Sequence, residues 1–127
     1  MVFSTNKDRG NSGLGIAIAY FSTHGYTVSI PLNDTQDYDL VVEKNSKINT
    51  VQVKSTGFKT KYGVYQVALK SMGGTKGKVY KTFVNTDVEY LFILTESQDM
   101  YVFPKEKIIN KCTLNLNSSC DKYRVNI

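Results

Sequence analysis

The chain has 127 residues, an ordinary apolar share of 41% and a net charge of +5 at pH 7, with an isoelectric point near 9.1. That length buries a core without disulfide or metal staples, and the apolar share excludes wholesale disorder. Only Cys112, Cys120 and His24 offer a thiol or imidazole, which argues against a structural zinc site, and no apolar run approaches the ~20 residues of a membrane span. The expectation is a single soluble domain over residues 1–127, intracellular (cytoplasmic), with reduced thiols, no signal peptide and no membrane partner.

In chain order, Thr5-Asn6-Lys7-Asp8 has the form of a capping box with Asp8 in the Glu position, so a helix starts there or after Ser12. Leu14, Ala17, Ile18 and Phe21 fall at helical spacing, and Ile16, Ala19 and Tyr20 make the other flank apolar. The helix is therefore expected to pack on more than one side. Gly10, Gly13 and Gly15 weaken its first turns. Their spacing, with no strand ahead, does not make a nucleotide-binding loop, leaving close packing or approach of the backbone to a polyanion. His24-Gly25 ends the helix, with a basic side chain in the last turn followed by a C′ glycine.

Tyr26 to Ile30 predicts the first strand, stopped by Pro31, and the segment from Asn33 to Asp37 is a turn-rich connection. After a hairpin treated below, Thr56 to Tyr62 is a lysine-rich connection. Val64 to Lys70 alternates as a strand with one wet face, and Met72 to Lys78 has loop composition. Glu89 to Thr95 predicts a buried strand, turning through Ser97-Gln98-Asp99 into Met100 to Phe103. Pro104 opens a short helix from Lys105 to Asn110, and Tyr123 to Ile127 can form a last strand.

The hairpin organises the rest. Asp37-Tyr38-Asp39-Leu40-Val41-Val42-Glu43 and Thr50-Val51-Gln52-Val53-Lys54 flank the polar cluster Lys44-Asn45-Ser46-Lys47. If Asn45-Ser46 form a two-residue loop, Lys44 faces Lys47 and Leu40 faces Val51. Asp39 then lies opposite Gln52, with Lys54 two residues further along the same face. A loop with an odd number of residues would turn Asp39 to the opposite face. A carboxylate, an amide and an amine thus converge on one sheet face. Asp34 and Asp37 compete with Asp39 as acids, but both sit in the connection. Between Lys44 and Thr86 there are nine lysines and no Asp or Glu, which reads as a basic face for a polyanion beside the site rather than a solubilising surface alone.

Asp39 followed by Gln52-Val53-Lys54 resembles the PD-(D/E)XK nucleases. In them an Asp at the start of one strand and an acid-x-Lys pair on the next bind a divalent metal and activate water; here Gln52 stands in the acid's place. The order helix, Gly25-Tyr26, strand, Ile30-Pro31-Leu32, Tyr38-Asp39-Leu40-Val41-Val42, Val51-Gln52-Val53-Lys54 looks like the small intron-associated homing endonucleases of that superfamily, over residues 7 to 56. The resemblance implies an α/β (α+β) fold with a restriction-endonuclease-like core, a mixed β-sheet flanked by helices, and a crossover helix beginning near Lys76 to Phe83. It implies Mg2+, with Mn2+ as a substitute, held by Asp39, the Gln52 amide oxygen and the Val53 carbonyl, and a catalytic set of Asp39, Gln52 and Lys54. Many members carry an acid on the first helix. Here Leu14 and Gly15 occupy that region, and Asp8 is the helix's one acid.

The function so implied is metal-dependent, site-specific cleavage of double-stranded DNA by a homing-type endonuclease acting as a homodimer or homotetramer. Lys59, Lys61, Gln66, Lys76, Lys78 and Lys81 are the expected DNA contacts. The alternatives are a Holliday-junction resolvase and a catalytically inactive DNA-binding module. Gly63-Val64-Tyr65 echoes half of a GIY-YIG motif without its partner, and a single histidine excludes HNH chemistry.

Overall fold

The computed structural model describes residues 3, 5–33, 35–69, 71–73, 79–81, 87–108 and 111–127, with backbone alone for residues 71–73 and 79–81. Helix α1 (Asn6–Thr23) begins as its capping residues dictate: Thr5 is the N-cap, and its Oγ1 accepts a hydrogen bond from the Asp8 amide at 3.0 Å. His24 is the C-cap, its Nδ1 lying 2.8 Å from the Tyr20 carbonyl, and Gly25 follows at φ +86°. That left-handed conformation suits glycine, which has no Cβ to clash.

The strands are β1 (Thr27–Ser29), β2 (Leu40–Lys44), β3 (Lys47–Thr56), β4 (Gln66–Ala68), β5 (Ser71–Gly73), β6 (Val79–Lys81), β7 (Tyr90–Thr95), β8 (Met100–Pro104), β9 (Thr113–Asn115) and β10 (Arg124–Val125). Six of them form one mixed sheet in the order β1-β2-β3-β7-β8-β10. Within it β3 and β7 run parallel and the other neighbours antiparallel. Two ribbons, β4 with β9 and β5 with β6, complete the described strands.

Both faces of the sheet are covered, which is why β7 is apolar and buried from Leu91 to Leu94. On one face α1 buries Ala17 and Phe21 against Leu40, Val42, Val51, Phe92 and Leu94. On the other, Val67, Leu69, Leu114 and Cys120 pack on Leu91, Ile93, Tyr101 and Phe103. Gln52 and Lys54, paired in register with Leu91 and Ile93, belong to this second face.

Two expectations change. Residues 71–73 and 79–81 form an antiparallel ribbon, so strand stands where a loop was expected from Met72 and within the expected start of a crossover helix, residues 74–78 and 82–86 lying outside the described set. The helix after Pro104 is a single 3-10 turn, Lys105–Lys107. The expected α+β core with a mixed sheet is present: α1, the one α-helix among the described residues, covers one face, and the β4–β9 ribbon packs on the other.

Candidate active site

The turn between β2 and β3 sets everything downstream. Asn45 and Ser46 have φ of 53° and 65°, the two left-handed central residues of a type I′ turn, whose twist matches that of the strands it joins. The register follows: Lys44 pairs with Lys47 and Leu40 with Val51. One step further, Asp39 leaves the ladder. Its amide donates to the Val51 carbonyl at 2.8 Å, and its Oδ2 accepts from the Val53 amide at 2.7 Å. The carboxylate thus takes the place of a backbone acceptor just before β2 begins, where β3 runs on paired with β7 alone. Gln52 donates from Nε2 to the Asp37 carbonyl at 3.2 Å, tying the approach to Asp39 onto β3.

The electrostatics of the pair are set by loss of water. Asp39 keeps an exposed edge, yet the protein behind its carboxyl withdraws solvent and raises its pKa above the ordinary 3.8, against the lowering effects of the Val53 amide and Lys54. Desolvation also lowers the Lys54 ammonium below the ordinary 10.5, with Asp39 pulling it back up. Both groups are pushed toward neutrality while each holds the other charged. Paired titratable groups perturbed in this way mark functional sites.

The donor chemistry suits a hard divalent cation. Asp39 has a second oxygen beyond the one bound to Val53, the Gln52 amide oxygen is left over once Nε2 is engaged, and the β2 ladder stops short of the Val53 carbonyl. Among the described residues no group of three or more His, Cys, Asp and Glu exists to hold a metal. One carboxylate with neutral oxygens matches an ion such as Mg2+, which keeps most of its water. Asp39, Gln52 and Val53 are therefore the residues that would hold it.

The expected DNA contacts separate. Lys59 and Lys61 lie on a small turn, where Lys59 bridges Tyr65 and Gly63 takes φ +77°. Their ammonium groups sit 4.9 Å and 5.2 Å from the ring centroids of Tyr65 and Tyr62. Gln66 is on β4, bonded through Nε2 to Asn115 Oδ1 at 2.8 Å, and lines a cleft shared with Lys54. Lys76 and Lys78, like Asp34, lie outside the described residues, and Lys81 is described by its backbone alone. The sequence reading passed over Arg9, which lines the same cleft. Its signal was available: Arg9, Gly13, Ala17 and Phe21 share one helical face, and a lone cation on a packing stripe calls for a partner.

Comparison with known proteins bears on the family and the fold. The sequence pattern of the PD-(D/E)XK endonuclease family matches residues 4–125. The solved structure of the bacterial homing endonuclease I-Ssp6803I superposes with a TM-score of 0.82 at 25% identity, covering 95% of this chain and 89% of that one. MepB superposes at 0.43 with 14% identity over 88% of this chain and 95% of its own, a likeness too loose to bear on function. No curated protein matches by sequence. With the family pattern running from the helix cap to the last strand, the chain belongs to the PD-(D/E)XK endonuclease family.

Proposed function

We propose that this endonuclease is a Mg2+-dependent, site-specific homing-type enzyme that hydrolyses phosphodiester bonds in double-stranded DNA. Asp39, Gln52 and Lys54 are its catalytic residues. The observation that carries the reading is the β2–β3 register, which delivers Asp39 to the Val53 amide and couples it to Lys54. The likeness to a solved homing endonuclease supports the homing assignment.

A bound divalent ion supplies charge neutralisation at the scissile phosphate and acidifies water. The chain's own residues do the rest. Asp39, fixed by Val53, presents its remaining oxygen in one orientation. Gln52 is held by the Asp37 carbonyl, so its amide oxygen is already placed. Lys54, its pKa lowered, can take a proton from the attacking water and, as ammonium, stabilise charge growing on phosphate oxygens. The Lys59 and Lys61 turn, Gln66 and the remaining lysines of the acid-free tract would follow the duplex.

The test is cleavage of supercoiled plasmid with Mg2+, Mn2+ or chelator. Wild type should nick or linearise it with either metal. Asp39→Asn and Lys54→Ala should lose at least about 100-fold in rate while retaining thermal unfolding and duplex binding. Full activity in either variant would sink the site. DNA binding without metal-dependent cleavage by wild type would favour an inactive binding module, with Gln52 as the lesion.

A further inference from the structure

Arg9 extends the packing stripe of Gly13, Ala17 and Phe21 by one turn, to where the sheet no longer offers an apolar surface. Its Nε is buried without a hydrogen-bond partner. An unmet buried donor of this kind destabilises the fold unless water or a ligand supplies an acceptor. The rest of the guanidinium is loosely held, its carbon 5.6 Å from the Phe3 ring centroid and its tip against Gly57, where Glu96 also comes close.

Arg9 and Lys54 open onto one cleft of about 480 Å³, the size of a small-ligand site. Gly10, Phe58 and Gln66 contribute to its walls, and among the described residues no Asp or Glu lines it. A Cβ on Gly10 would meet nothing within 4 Å, so that wall stands open. Two cations line the cleft with Glu96 near the Arg9 tip but outside the lining, and the unmet Arg9 Nε still calls for an acceptor; the planar fork of arginine matches the non-bridging oxygens of a phosphate.

We propose that Arg9 binds the DNA backbone phosphate next to the scissile one, so that one phosphate sits on Arg9 inside the cleft and the scissile one at its Lys54 end, next to the Val53 amide that holds Asp39. The inference rests on the nuclease reading above. Arg9 is a binding and positioning group: anchoring the neighbouring phosphate restricts the scissile one to the geometry that Asp39 and Lys54 can use.

The test measures, by calorimetry with Ca2+ in place of Mg2+, the affinities of thymidine 3′,5′-bisphosphate and thymidine 5′-monophosphate for wild type, Arg9→Gln and Arg9→Lys. Wild type should bind the bisphosphate at least about tenfold more tightly, the scale of one charge-assisted contact. That advantage should fall below about threefold in Arg9→Gln and lie between in Arg9→Lys, which keeps the charge and loses the fork. If Arg9→Gln fails to fold, Arg9→Lys decides, because it can still face Glu96. Equal affinities in wild type, or an advantage that survives unchanged in both variants, would overturn the proposal and leave Arg9 a structural neighbour of Glu96. A wild-type protein that shows the bisphosphate advantage yet cuts no DNA would remove the nuclease reading and keep the phosphate site.

Discussion

Asp39 and Lys54 carry opposed burdens, and the signs predict how stability and activity trade against each other. Lys54 has a folded pKa below its ordinary 10.5, so its contribution to stability is present above that pH and lost as pH falls through the folded value. Asp39 has a folded pKa above its ordinary 3.8, so its contribution is present below that pH and lost as pH rises through the folded value. Near neutrality both charges therefore cost stability. Lys54→Met, similar in length and uncharged, should raise the metal-free unfolding midpoint at pH 7 by a few degrees while ending cleavage. A lower midpoint would mean that Lys54's attraction for Asp39 outweighs its desolvation. The same lowered pKa places the inflection of the cleavage rate, rising with pH, below the ordinary lysine range. Gln52 is a milder case, since a neutral amide adds only a dipole where a carboxylate adds a charge. Gln52→Ala should weaken activity less than Asp39→Ala across an Mg2+ titration, and an equal loss would show a further role for the amide.

At the scale of elements, two glycines of α1 make opposite predictions. A Cβ on Gly13 would fall 2.1 Å from Ser55 Oγ and 3.3 Å from a Val53 methyl, whereas one on Gly15 meets nothing within 4 Å. Gly15→Ala should stabilise by roughly 0.5–1 kcal/mol through helix propensity alone. Gly13→Ala must displace the buried Ser55 hydroxyl and crowd the Val53 methyl between α1 and β3, and should lower the midpoint despite gaining the same propensity. Thermal unfolding of the two variants checks both signs. Such differences also show what the sequence could convey. The β2–β3 register was legible because it depends on a two-residue turn and side-chain parity, both local. The N-cap at Thr5 and the stop at Gly25 are equally local. The pairing of β4 with β9 was not legible, because Gln66–Ala68 meets Thr113–Asn115 across a long stretch of chain and an Asn- and Ser-rich tail hides the strand. The place of Arg9 on the packing stripe was legible, but its cleft was not, because that cleft is lined from α1, β3 and β4 and no segment alone contains it.

For the whole molecule, the decisive physical facts are one candidate site per chain and a lysine-rich tract without acids. One such site cuts one strand, so breaking a duplex requires two copies, and a symmetric homo-oligomer is the common way to supply them. The tract from Lys44 to Thr86 would then line a shared DNA face. Affinity should fall steeply with salt as counterions are taken up again, by a factor that grows with the number of phosphates neutralised. Phosphate contacts alone carry no sequence information. A site-specific enzyme needs side chains at base edges, for which Lys59, Lys61 and Gln66 stand on the described elements nearest the cleft. The expectation is a dimer or tetramer by sedimentation that cuts one long duplex site from a randomised library. Single substitutions at Lys59 or Lys61 should relax preference at individual base pairs without ending cleavage. A four-way junction run beside the library separates the rival: preference for the junction over every library member would assign the chain to junction resolution, and a monomer that cuts neither would defeat the assembly argument.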